Sequence, residues 1–314
     1  MAVPTERSTY GGAGPWMLGV TWTQATIAVI LVALRAYAAR THLGKMRWDF
    51  IFVTIGVAGG TTALSCLTVG SLHGIGMHIN HLELTDLWIV LRFTWIGLMT
   101  GLVGITFAKL SIVALLLQIT TPVQPRRRAL LWSIAILLVV VNAIQIPVSL
   151  TQCTPMPYLW DRSVPGGSCP RQTMANNYGY FQGAVAVLVD VVLALYPVTV
   201  IWSLSLSVRT KVAFCLLMAG GLMTYYSRRL VETHDITYEL YPYLMWAMIE
   251  GFFVILLGSI PPLRPLFERI FKRKKETDTE MGNCASPNTI GSWAINGGVQ
   301  KLTEVSLSTG DESP

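Results

Sequence analysis

The chain has 314 residues, of which 52% are apolar and only 13% charged. Soluble domains carry about a quarter charged residues, so this composition excludes a water-covered globule and points to lipid as the solvent. The net charge of +6 does not call for nucleic acid, because basic residues gather in cytoplasmic loops against anionic head groups.

A bilayer-spanning helix needs roughly 20 mostly apolar residues. Seven such stretches follow one another: Trp16–Ala38, Asp49–Gly70, Leu87–Ile119, Ala129–Leu150, Tyr178–Leu204, Lys211–Tyr226 and Tyr241–Ile260. The sixth is the shortest and continues toward Arg228 and Arg229. Barrel strands are about ten residues long and alternate apolar with polar, a pattern absent here. The expected fold is all-α, a polytopic bundle of seven transmembrane helices. Residues 1–15 form a short outer segment, 16–260 the membrane domain and 261–314 a basic tail. Residues 1–15 lack the basic-then-apolar pattern of a cleavable signal, so the first span is expected to act as an uncleaved anchor.

Basic residues set the orientation. Arg40, Lys45 and Arg47 follow the first span, Arg126, Arg127 and Arg128 the third, and Arg209 and Lys211 the fifth. Arg264, Arg269 and Lys272 to Lys275 follow the seventh. With seven spans all four groups share one side, and positive residues stay inside. The N-terminus is therefore expected outside and the C-terminus in the cytoplasm, in the endoplasmic reticulum or plasma membrane. Arg228 and Arg229 fit this scheme poorly. Pro265–Lys275 reads either as a short surface helix or as a basic flank. Residues 276–314 lack periodicity and read as disordered, with Cys284 a possible acylation site.

Two carboxylates stand out. Asp190 and Glu250 each fall about ten residues into a span, so both lie roughly 15 Å deep, near mid-bilayer. Charge at that depth is costly and turns toward the bundle interior. One reading is a protonated acid in an apolar pocket, able to protonate an epoxide or alkene and start a cyclisation. The other is a structural lock with Lys109 or Arg92 as the cation. Trp95, Tyr180, Phe181 and Trp246, with Lys109, are candidate pocket residues, and aromatic faces stabilise developing positive charge; ordinary packing is the competing role.

Cys153 and Cys169 share the outer loop between the fourth and fifth spans, where an oxidising compartment favours a disulfide. Cys66 and Cys215 sit in apolar runs and read as buried thiols. His73, His78 and His81 cluster before the third span with Glu83 and Asp86, but their spacing matches no closed metal site; a solvated capping loop is the better reading. No cofactor or metal is implied. Nucleotide-binding, hydrolase and zinc signatures are missing, and the seventh span has no central lysine for a retinal Schiff base.

Four stretches together resemble the fungal rhodopsin-domain family, seven-helix proteins named for architecture. They are Gly74-Ile75-Gly76-Met77-His78; Lys109-Leu110-Ser111-Ile112; Gln152-Cys153-Thr154-Pro155 with Trp160 and Gly167-Ser168-Cys169; and Asp190 with Pro197, Trp202, Leu204 and Lys211. The resemblance covers about residues 16–270. It departs where Phe50 follows Asp49 in place of a second acid, and where Gln118 stands near a common arginine. The family includes presumed G-protein-coupled receptors and membrane proteins of secondary-metabolite clusters, the satratoxin cluster among them. Two functions follow as expectations. One is an acid-initiated terpene or epoxide cyclase of secondary metabolism, with Asp190 and Glu250 as proton donor and cation stabiliser. The other is a receptor that engages a G protein. Both imply a lipid bilayer and a lipophilic small molecule as partners.

Overall fold

A computed structural model describes residues 14–42, 48–77, 82–120, 124–200 and 238–259, the last range without 239 and 257. The chain divides after Leu266 into two units. All described residues belong to the first. The sixth predicted span, Arg228, Arg229, His78, His81, Cys215, Cys284 and the tail lie outside them.

The described part is helical: α1 (Gly14–His42), α2 (Trp48–Leu72), α3 (Leu84–Ile119), α4 (Pro125–Leu150), α5 (Gln172–Val200) and a shorter α6 (Leu240–Leu256). Helices α1 to α4 are each long and apolar enough to cross a membrane, with mean hydropathy between 1.8 and 2.4. Helix α6 falls on the stretch expected to form the seventh span, and among the described residues it is a shorter apolar helix than α1 to α4.

Three helix starts differ from the sequence reading. Helix α4 begins at Pro125, so Arg126 to Arg128 form its first turn and not a loop. Proline fits there because the first helical N–H needs no partner, and arginine is a strong helix former whose stem can lie on the helix while its charge reaches water. Helix α5 begins at Gln172, six residues before the expected Tyr178, and α3 at Leu84, three before Leu87. These polar first turns extend beyond the apolar run, which hydropathy alone cannot see.

The outward faces are greasy. Ile27, Ile30, Trp132, Ile136, Val140 and Phe181 are all exposed. The inward faces carry Met17, Ala25 and Ala28 of α1, Leu64 and Leu67 of α2, and Leu244 and Phe252 of α6 in one core. Leu131, Ile134, Val113 and Val189 form a second core between α3, α4 and α5. Apolar residues on both faces mark helices that meet lipid on one side and protein on the other. Hydroxyls in these helices bond backward: Thr61 to the Val57 carbonyl at 2.9 Å and Thr106 to that of Leu102 at 2.7 Å. Such bonds let polar side chains sit in an apolar helix without an orphaned donor.

Helices α2 and α3 pack at backbone contact. A Cβ on Gly59 would lie 2.8 Å from the Gly104 Cα, and one on Gly104 would lie 2.9 Å from the Gly60 nitrogen. Lipid tails supply no hydrophobic drive between helices, so close backbone approach through small residues holds the pair.

The turn after α2 needs Gly74 and Gly76, whose φ values are +112° and +89°; side chains with a Cβ rarely adopt that region. Between them Ile75 is fully buried. Its carbonyl oxygen lies 3.1 Å from where a Gly14 Cβ would stand, so the turn seals one end of α1 and α2. His73 Nδ1 lies 3.0 Å from Asp86 Oδ1 across this turn, a local contact between α2 and α3.

Between α4 and α5, Cys153 and Cys169 form a disulfide across 16 residues. It reinforces a bridge in which Thr154 N donates to Ser168 O at 2.8 Å and Ser168 N to Thr154 O at 3.0 Å. Inside this closed loop Arg162 sits 4.8 Å over the Tyr158 ring.

Candidate functional site

Three ionisable side chains from three helices meet in the bundle. Lys109 of α3 is almost fully buried, as are Asp190 of α5 and Glu250 of α6. The Lys109 ammonium donates to Asp190 Oδ2 at 3.0 Å and to Glu250 Oε1 at 3.3 Å. The two carboxylates singled out in the sequence therefore share one cation. That cation is Lys109, and Arg92 is exposed on α3. Charge in the bilayer interior persists only where it is paired and faces other protein, and here two pairings fall on one nitrogen.

The cluster borders a cavity of about 170 Å3 between α2, α3, α4, α5 and α6. Glu250 and Lys109 line it, and Asp190, bonded to the same lysine, does not. The two acids are thus inequivalent, which sequence position could not reveal. Glycines Gly60, Gly101, Gly183 and Gly251 form much of the wall. Their missing side chains help to open the space.

The predicted aromatic lining needs correction. Tyr180 lines the cavity, joined by Tyr243, whereas Trp95, Phe181 and Trp246 do not. For Phe181 the reason is helical phase. Gly179, Gly183, Ala186 and Val187 face inward on α5, one turn before Asp190 on the same stripe. Phe181 falls on the opposite side and is 52% exposed. Trp95 shares a face with Leu98 but lies beyond Gly97 and Leu98, the first lining residues of α3, so position along the helix and not phase sets it apart, and Trp246 stands at the flank of the stripe that begins with Tyr243 and Ala247.

Polar groups that the sequence reading passed over complete the wall. Asn142 of α4 donates through Nδ2 to Thr106 Oγ1 at 2.8 Å, and Gln182 of α5 donates through Nε2 to Asn142 Oδ1 at 3.1 Å. Both amides line the cavity. Each is an isolated polar residue in an apolar run, the same signal that drew attention to Asp190.

A second buried ion pair lies elsewhere. Arg35 of α1 pairs with Asp49 of α2. Gln118 donates to Asp49 Oδ1 at 3.0 Å, and Ser111 donates to the Asp49 carbonyl at 2.7 Å. Gln118, read from sequence as a departure, thus has a partner of its own. This joint fastens α1, α2 and α3, and none of Arg35, Asp49, Ser111 and Gln118 lines the cavity.

A search of curated proteins finds Fugralins biosynthesis cluster protein 2 of Gibberella zeae, 26% identical over 260 residues. The match covers 76% of this chain but only 63% of that protein. No solved structure matches. The family model of the fungal rhodopsin domain matches residues 34–269, a span that contains Arg35, Lys109, Asp190 and Glu250. The chain belongs to the fungal rhodopsin domain family.

Proposed function

We propose that this protein is an integral membrane enzyme of fungal secondary metabolism that cyclises a lipophilic substrate by protonating it. The observation that carries the reading is the placement of Glu250, which lines a cavity while bonded to Lys109. With both carboxylates ionised, the cluster of two acids and one ammonium carries a net charge of −1. A single added proton makes it neutral, and low dielectric favours neutrality. Asp190 has the shorter contact with Lys109, 3.0 against 3.3 Å, and Glu250 is the acid that lines the cavity, so Glu250 is the one placed to pass the cluster's proton to a substrate.

The chemistry then balances without a co-reactant. Glu250 gives its proton to an epoxide oxygen or an alkene carbon. The C–O or π bond breaks, and a neighbouring alkene attacks the cation to close a ring. The last cation returns a proton to the Glu250 carboxylate. Lys109 and Asp190 hold Glu250 in place, and Tyr180 and Tyr243 offer aromatic rings to positive charge. The substrate is an isomer of the product. The relative named for a biosynthesis cluster supports a place in secondary metabolism.

The proposed topology has seven spans, the N-terminus outside and the C-terminus in the cytoplasm. Protease treatment of sealed microsomes carrying a tag at each end tests it: only the C-terminal tag should be cleaved.

Activity is tested in the same microsomes with epoxidised prenyl substrates. Wild type should form a cyclic isomer. Glu250→Gln should reduce turnover at least ~100-fold, the usual scale for a lost general acid, yet remain folded because Lys109 keeps Asp190 as counterion. Asp190→Asn should also silence the enzyme, since Glu250 is then the one carboxylate left to pair with Lys109. Turnover that survives Glu250→Gln removes this reading.

A receptor reading rests on the other cluster. The Arg35–Asp49–Gln118 joint ties three helices at the end proposed to be cytoplasmic, where a G protein would dock. Ligand-dependent nucleotide exchange in a reconstituted system would favour it.

A further inference from the structure

We infer that the cavity recognises a lipophilic alcohol, with the ligand hydroxyl donating to Oε1 of Gln182; this rests on the reading of the cavity as a substrate site. Hydrogen-bond direction along the wall carries the inference. The Thr106 hydroxyl has one proton, and it goes to the Leu102 carbonyl at 2.7 Å. Thr106 Oγ1 can therefore only accept from Asn142, which must present its nitrogen at 2.8 Å. That choice turns Asn142 Oδ1 toward Gln182, which must in turn present Nε2 at 3.1 Å. Every amide orientation is fixed by a single hydroxyl proton. The relay ends with Gln182 Oε1, which has no protein donor among the described residues.

A carbonyl acceptor on a cavity wall is open to water or to a ligand's donor, and a ligand that displaces the water without bringing a donor leaves that hydrogen bond unmade. The donor is neutral, because the lining near Gln182 offers Asn142, Leu138 and Gly179 but no carboxylate to offset an ammonium. The wall between holds Ile105, Ala186 and Val187. Gln182 precedes Asp190, the Lys109 partner on α5, by eight residues, about 12 Å of helix rise, so the Gln182 acceptor and the Lys109–Glu250 end of the cavity lie at different depths. The ligand is thus an apolar chain or ring with a hydroxyl at one end and its reacting group at the other. The hydroxyl fixes which way round it enters, and so which double bond or epoxide meets Glu250.

The test is direct binding of geraniol and farnesol, each against its own methyl ether, to the full-length protein in nanodiscs. A methyl ether keeps the chain and the oxygen but has no proton to donate. Wild type should prefer at least one alcohol over its ether by about tenfold, the usual worth of one such bond. Gln182→Leu should erase that ratio. Gln182→Glu, which keeps an acceptor oxygen, should retain it. Glu250→Gln should retain it as well, since it alters only the far end. Equal binding of alcohol and ether by wild type overturns the inference whether or not the variants fold. So does a preference that persists in Gln182→Leu, or failure of both alcohols to bind. The proton-transfer reading fails on a different observation, turnover by Glu250→Gln, so the two can fall separately.

Discussion

Lys109→Met should lower the stability of the solubilised protein by about 3–5 kcal/mol, the cost of removing one partner from a buried ion pair. Two carboxylates would then lose the cation they share. Asp190→Asn on the same background should return most of the loss, because it removes one of the two acids left without that cation. Replacing a whole buried pair with uncharged groups of similar size is often close to neutral. A thermal-melting cycle of wild type, both single variants and the double variant measures this. The double variant should be more stable than Lys109→Met alone. It should also recover part of the activity that Asp190→Asn loses, because Glu250 no longer serves as counterion. A Lys109→Met protein that melts with wild type, or a double variant that loses the sum of both changes, would show that the three groups do not act as one unit.

The cycle also separates what was legible in the sequence from what was not. Depth along each span placed Asp190 and Glu250 near one level, and the cost of charge in hydrocarbon turned both inward. That reasoning also offered Lys109 as a partner. It could not tell which of the two acids lines the cavity, because that depends on how the helices pack around it. It also chose aromatic residues by type, and three of them, Trp95, Phe181 and Trp246, stand off the cavity. Helical phase relative to Asp190 would have rejected Phe181. The amides Asn142 and Gln182 were visible as lone polar residues in apolar runs, but their meaning needed the Thr106 relay. Arg35 was hidden for another reason: near the end of α1 it resembles any basic flank until Asp49 is seen beside it. Helix ends were misjudged where polar first turns extend past the apolar run, as at Pro125 and Gln172.

Gly59 and Gly60 are neighbours in the chain, yet they should respond to alanine in opposite ways. An added Cβ at Gly59 meets only backbone of α3, at 2.8 Å from the Gly104 Cα and 3.1 Å from its nitrogen. Backbone cannot rotate away, so α2 and α3 must separate. At Gly60 the nearest atoms belong to the Phe252 ring, at 3.6 Å, an ordinary contact. Gly59→Ala should therefore destabilise by about 1–3 kcal/mol, the scale of overpacking a close-fitted core. Gly60→Ala should be neutral or gain up to ~1 kcal/mol from helix propensity. Gly19, whose Cβ would meet nothing within 4 Å, supplies a second neutral control. Gly104→Val should be the most damaging of the series, since its Cβ alone lies 2.9 Å from the Gly60 nitrogen and 3.1 Å from the Gly56 carbonyl oxygen. Melting of the detergent-solubilised variants ranks them, and equal melting of Gly59→Ala and Gly60→Ala would refute the packing described for α2 and α3. The consequence reaches the site. Lys109 follows Gly104 by five residues, about 7.5 Å along α3. A wedge at Gly104 that pushes α3 from α2 shifts the ammonium against Asp190 and Glu250 on the other side. Activity should then fall even in variants that still fold, because the 3.0 and 3.3 Å contacts leave little room for displacement before the three-membered cluster comes apart.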